Sequence, residues 1–142
     1  MLIREDDNFF EMMVTERITT PKYTQFEIGV SFEIRVQSFG FAGQCWTWID
    51  ALSLIRFNEQ LRKLENQRQG KAEVSSMSPR EFWLKICSID SLGHMALFGR
   101  LCRFEVGLRY EHLLEFGFSF DPSVLPSIVK NFEAIASGRF NL

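Results

Sequence analysis

The sequence predicts an α+β fold: a single two-layer domain, residues 1–142, with two helices packed on an antiparallel β-sheet of about six to seven strands. Three observations predict this fold. The 15 phenylalanines favour strands. Residues 25–37 alternate between apolar and polar side chains. Two segments, at about 51–68 and 124–137, carry apolar side chains at helical spacing.

The clearest element is a strand at residues 25–37. Its apolar side chains occupy every even position: Phe26, Ile28, Val30, Phe32, Ile34 and Val36. This alternation is typical of an antiparallel strand with one buried face. Upstream, residues 10–14 alternate more briefly and predict a first strand, and Pro21 is expected to mark the turn between the two.

A change of direction follows the long strand. The two glycines in Phe39–Gly43 predict a bulge or sharp bend, followed by a further strand at 45–49. Asp50 can cap a helix because its carboxylate can accept hydrogen bonds from amides of the first turn. The first helix is therefore predicted at about 51–68, with Gly70 as its terminator.

The second half returns to strands and closes with a helix. Strands are predicted at 72–74, 82–87, 95–101 and 114–120, and the segment 103–112 is predicted to be a polar, protruding loop. For the helix at 124–137, Ser123 is the predicted cap. That choice puts Pro126 in the first turn, where its missing N–H costs little.

Composition limits the partners. With 16 basic and 18 acidic residues and a pI near 5.7, the chain lacks the basic patch expected of a nucleic-acid binder. No apolar run is long enough to span a membrane, and the acidic N-terminus does not resemble a signal peptide. We expect a cytoplasmic protein.

The odd number of cysteines, three, predicts buried free thiols rather than disulfides.

No catalytic residue, metal site or cofactor site is predicted. Gly43-Gln44-Cys45-Trp46 resembles the cysteine neighbourhood of papain-like proteases, but here Cys45 leads into a strand instead of opening a helix. The possible bases are His94 and His112. Clustered zinc ligands and a glycine-rich phosphate loop are both missing from the sequence.

Three tryptophans are the predicted partner-binding residues. Trp83 alternates against Phe82 and Leu84, so we expect it on the polar face of its strand. Trp46 and Trp48 are expected to join it from a neighbouring strand. Tryptophan is enriched where proteins bind one another. The alternative is a cross-strand aromatic cluster that serves stability alone.

The layout of residues 25–136 resembles that of a known group. The long strand, Gly40–Gly43 with Thr47-Trp48, the helix, residues 76–82 and Gly93-His94 follow in the same order. The group comprises small bacterial proteins of mostly unknown function related to the WapI-like immunity proteins. The resemblance implies a cytosolic protein that protects its host by binding a toxin domain.

A non-catalytic protein-binding module, with a sheet face or the 103–112 loop as its contact surface, is therefore the expected function, and the resemblance implies an immunity protein. Two alternatives stay open. One is a small-ligand-binding protein with its pocket between sheet and helices. The other is a cysteine-dependent enzyme that uses Cys45. The oligomeric state and the identity of the partner are open as well.

Overall fold

The structure is a computed structural model that describes residues 1–20, 22–78 and 80–138, without the side chains of residues 23–26. The turn predicted at Pro21 lies outside these residues. The described elements are β1 (Leu2–Glu5), β2 (Asn8–Thr20), β3 (Tyr23–Ser38), β4 (Phe41–Asp50), α1 (Ala51–Gln67), β5 (Lys71–Ser75), β6 (Phe82–Ser88), β7 (Met95–Glu105), β8 (Tyr110–Phe120), a 3-10 helix (Pro122–Val124) and α2 (Leu125–Ala136). Neither α1 nor α2 is long and apolar enough to cross a membrane.

The strands form two antiparallel sheets of four, in the orders β1-β2-β3-β4 and β5-β6-β7-β8. We call them the first and second sheet. Each is a meander followed by one helix, so the order of elements repeats although the sequence shows no repeat. The α+β class with two helices on antiparallel sheets is confirmed. The prediction of one sheet of six to seven strands is wrong.

The partition into two sheets has a physical cause. Alternation along a strand shows which face is buried, but it does not identify the neighbouring strand. After α1 the chain does not return to pair with β4; β5 pairs with β6 instead. The sequence reading also missed β1, a strand of four residues that is too short to show a clear period.

The strand predicted at 25–37 is confirmed as β3, and its even residues from Val30 to Val36 are buried. Its pairing with β4 is unbroken from Gly29↔Asp50 to Ser38↔Phe41. The bulge or bend predicted at Phe39–Gly43 is instead a two-residue hairpin turn, with positive φ at Phe39 (51°) and Gly40 (85°). The shifts of register lie on the other side of β3, where it pairs with β2.

One apolar core joins both sheets and both helices. The ring of Phe10 on β2 stacks on Phe82 of β6 and on Phe116 of β8, with centroids 6.2 and 6.0 Å apart. Phe57 of α1 meets Phe132 of α2 edge to face at 4.8 Å. The single-domain organisation stays a prediction, and this shared core supports it.

Local hydrogen bonds and backbone conformation decide where the helices begin and end, and two of the predicted end residues are wrong. Asp50 caps α1 as predicted: its carboxylate accepts from the backbone N–H of Ser53 at 2.9 Å. Arg68, not Gly70, takes the left-handed position after α1. At the second helix Asp121 accepts from the N–H of Ser123, so Ser123 is not the cap. The intervening 3-10 helix still leaves Pro126 in the first turn of α2.

Gly29 provides a direct test of this packing. A Cβ added there would lie 2.1 Å from Nε1 of Trp48 and 2.6 Å from the carbonyl oxygen of Ile49. We expect Gly29→Ala to lower the free energy of unfolding by about 1–3 kcal/mol, the usual cost of overpacking. Urea unfolding measures the change. Gly107→Ala is the matched control, because a Cβ there meets no atom within 4 Å. Equal stability of the two variants would contradict the close approach of Trp48 to Gly29.

Candidate functional site

The three predicted tryptophans lie on two different sheets. Trp46 and Trp48 are on the outward face of β4, opposite Glu33 and Ser31 of β3. Trp83 is on the outward face of β6, opposite Arg100 of β7. The expectation that all three share neighbouring strands is therefore wrong, because the chain starts a new sheet after α1.

Their surroundings differ as well. Trp46 is 57 % exposed, whereas Trp48 and Trp83 are half-buried. The indole of Trp48 packs over Gly29, and its buried Nε1 has no hydrogen-bond partner among the described residues. Trp83 lies beside Lys85, whose Nζ is 5.8 Å from its ring centroid. Of the three, Trp46 offers the largest free surface.

The segment 103–112 is a β-hairpin and not a polar loop. β7 continues to Glu105 and β8 begins at Tyr110, and Arg109 in the turn has a φ of 50°. The prediction did not recognise these strands because charged side chains separate the apolar ones at Phe104, Val106, Leu108 and Tyr110. These four side chains are between 58 and 77 % exposed. The register places Phe104 opposite Glu111 and Tyr110 opposite Glu105, so Phe104 and Tyr110 lie on opposite faces of the hairpin.

The hairpin and β4 together form what we call the hairpin surface. It is defined by the exposed apolar side chains of Phe41, Trp46, Phe104, Val106, Leu108, Tyr110 and Leu113. They are seven of the fifteen large apolar side chains that are exposed in the described part of the chain. A concentration of this kind marks a site of interaction more often than scattered apolar residues do.

Gly43 determines how closely β4 approaches the hairpin. A Cβ at this position would lie 2.8 Å from Cδ2 of Leu114 and 3.2 Å from Cδ1 of Leu101. Because glycine leaves this space free, β4 lies against β7 and β8 at the base of the hairpin.

Two clefts open beside this contact. The larger, about 610 Å³, runs between residues 41–45 and residues 101–103 and 110–114. The smaller, about 360 Å³, includes Trp46, Arg80 and Phe104. The pocket predicted between sheet and helices corresponds to a cleft of about 240 Å³ between α1 and β5. Drug-sized ligands usually occupy about 300–1,000 Å³, so this cleft is small for such a ligand.

Cys45 and Cys102 line both of the clefts beside the hairpin, and the two side chains are buried. Burial raises the pKa of the Cys45 thiol to about 12, with further contributions from Glu81 and Cys102. Burial also raises the pKa of Cys102 to about 11, and its Sγ donates to the carboxylate of Glu111 at 2.9 Å. Both thiols are therefore protonated at neutral pH and are poor nucleophiles.

The histidines supply no base for Cys45. His112 lines the larger cleft, but its ring packs against Tyr110 at 5.4 Å and no hydrogen bond joins it to Cys45 among the described contacts. His94 is held in the turn after β6 by Asp90, at 2.5 Å. In the described ranges, no group of three or more His, Cys, Asp or Glu side chains could hold a metal ion.

The family model for the "Immunity protein WapI-like family" matches residues 1–138. The chain belongs to this family. A search of the curated proteins finds no match. Among solved structures, the crystal structures of Trypanosoma brucei MRP1/MRP2 share 13 % sequence identity at a TM-score of 0.47, over 97 % of this chain and 84 % of that one. That likeness is too distant to inform on function.

Membership of the WapI-like family confirms the resemblance read from residues 25–136 and extends it to the N-terminal strands. It also implies a protein partner. For this WapI-like chain, residues 103–112 were among the predicted contact surfaces, but they were expected to form a loop and not a hairpin. The available signal for the hairpin's exposed apolar character was the presence of apolar residues at positions 104, 106, 108 and 110. Trp46 stays a predicted partner-binding residue.

The thiols give a prediction about the enzyme alternative. With a pKa of about 12, roughly one Cys45 thiol in ten thousand is ionised at pH 8, so we expect native protein to react far more slowly with iodoacetamide than free cysteine does. Mass spectrometry of digested samples measures alkylation at each of the three cysteines. Protein unfolded in urea is the control, and all three thiols should react there. Rapid, selective alkylation of native Cys45 would contradict the prediction.

Proposed function

We propose that this chain is an immunity protein that neutralises a bacterial toxin domain by binding it, without catalysis, through the hairpin surface. The observation that carries the proposal is the concentration of exposed apolar side chains on β4 and the β7–β8 hairpin, in a member of the WapI-like family. Buried, protonated thiols in the adjoining clefts favour binding over a reaction.

The composition of this surface suits a protein partner. Aromatic residues are enriched in the buried centres of protein interfaces, and Phe41, Trp46, Phe104 and Tyr110 supply four of them here. Charged side chains lie among and beside them: Glu111 is opposite Phe104, Arg80 approaches Glu111 at 4.0 Å, and Arg103 is exposed. Such interfaces usually combine apolar contacts with charged and polar ones.

The tryptophans have unequal roles in this proposal. Trp46 contacts the toxin directly, since more than half of its surface is exposed. Trp48 supports β4 from its position over Gly29. Trp83 remains a predicted partner-binding residue on the outward face of the second sheet, where it contributes if the contact extends beyond the hairpin.

The proposal predicts rescue from a toxin. The C-terminal domains of the host's large secreted proteins are expressed one at a time in a laboratory bacterium, with and without this chain. We expect the chain to restore growth against one toxic domain and to form a stoichiometric complex with it on size-exclusion chromatography. Because binding is the mechanism, the mass of the recovered toxin should be unchanged. Continued toxicity of every domain would refute the proposal.

Substitutions on the surface should weaken the complex. We expect Trp46→Ala and Leu108→Ser each to lose about 1–2 kcal/mol of binding free energy, as central interface residues do. Isothermal titration calorimetry against the rescued toxin domain measures the loss. Leu92→Ser is the matched control, because Leu92 is 81 % exposed but lies in the turn between β6 and β7. Trp83→Ala in the same assay shows whether the contact extends beyond the hairpin to the outward face of β6. Unaltered affinity of both hairpin-surface variants would place the interface elsewhere.

A further inference from the structure

The free edge of β4 offers main-chain hydrogen bonds in addition to the hairpin surface. β4 is the last strand of the first sheet, so it has a paired neighbour, β3, on one side. From this edge we infer, resting on the proposed function, that the toxin domain adds an extended segment to β4 as a further strand.

The direction of the backbone groups along β4 follows from one hydrogen bond. The carbonyl of Trp48 accepts from the N–H of Met77 at 2.8 Å, so the backbone groups of Trp48 point away from β3. In an antiparallel pair, the N–H and C=O of one residue point to the same side, and the side alternates along the strand. The register between β3 and β4 is unbroken, so the groups of Trp46, Gln44 and Ala42 point away from β3 as well.

These outward groups have no partner within the described part of the chain. Beyond the regular strand ladders, backbone contacts involve β4 at Trp48, where Met77 covers the edge. Residues 42–46 leave their outward N–H and C=O groups to water. Such a row is a template for another strand, which would satisfy each donor and acceptor in turn.

The surroundings leave room for a strand on this edge. A neighbouring strand lies about 4.8 Å away, and the cleft of about 610 Å³ lies beside residues 41–45. Ala42 has a small side chain and Gly43 has none, which permits a close approach. Alternate side chains of the added strand would then meet Trp46 on one face and Tyr110 on the other. This edge is therefore continuous with the hairpin surface, and the same toxin domain can contact both.

The test compares two substitutions of one residue. Gln44→Pro removes the outward N–H without breaking a bond to β3, because proline is tolerated where the N–H of an edge strand faces solvent. Gln44→Ala removes the same side chain, including its hydrogen bond to Glu33, and keeps the N–H. Against the rescued toxin domain, we expect Gln44→Pro to raise Kd by at least about tenfold and Gln44→Ala by less than about threefold.

Hydrogen exchange of the unmodified protein gives a second readout that does not depend on how a variant folds. The amides of Ala42, Gln44 and Trp46 should gain protection when the toxin domain binds. The control is the opposite edge of the same sheet. The backbone nitrogens of Met1 and Met12 each donate to the other residue's carbonyl oxygen at 2.8 Å. The amides of Leu2 and Arg4 therefore face away from β2, and their protection should not change.

The outcomes separate this inference from the proposed function. Failure of the unmodified chain to bind any toxic domain overturns both. Tight binding with equal Kd values for both Gln44 variants, or without protection of the β4 edge, overturns the added strand alone. Equal loss in the two variants would assign the contact to the Gln44 side chain and would also overturn it. A dimer of the unmodified chain that Gln44→Pro dissociates would make the occupant a second copy.

Discussion

The stacking of Phe10 on Phe82 and Phe116 is the contact on which the rest of the structure depends. Within the described ranges the two sheets share no strand pairing, so packed side chains hold them together. Each sheet has one apolar face that is unfavourable in water, and these faces, with the apolar sides of both helices, form one core. The helices complete it where Phe57 meets Phe132.

Joining the sheets through side chains leaves β4 with an open edge. In one continuous sheet, β4 would pair on both sides. Here β7 and β8 come close at Gly43, and their hairpin then extends beyond the core. Residues 103–113 of that hairpin are all exposed, so its own strand pairing holds it in place. Segments with little burial open more easily than the core, which suits a surface that adapts to a partner.

The charged groups near this surface fit binding better than reaction. Arg100 and Glu115 pair at 3.0 Å and Arg80 approaches Glu111 at 4.0 Å, but all four side chains are substantially exposed. Exposed pairs of this kind contribute about 0–1 kcal/mol each to stability. Charged groups beside an apolar patch can orient a partner. The same clefts hold the thiols in their protonated, unreactive form.

The sequence by itself determined the local features: the buried face of β3, the start of α1 at Asp50, and the place of Pro126 in the first turn of α2. These depend on neighbours a few residues away, which the sequence shows directly. The tertiary structure decided which strands pair, and so placed Trp46 and Trp83 on different sheets. It also decided that the β7–β8 hairpin and the edge of β4 lie at the surface. Alternation assigns a side chain to a face, but strand partners depend on packing between distant segments, which no local pattern contains.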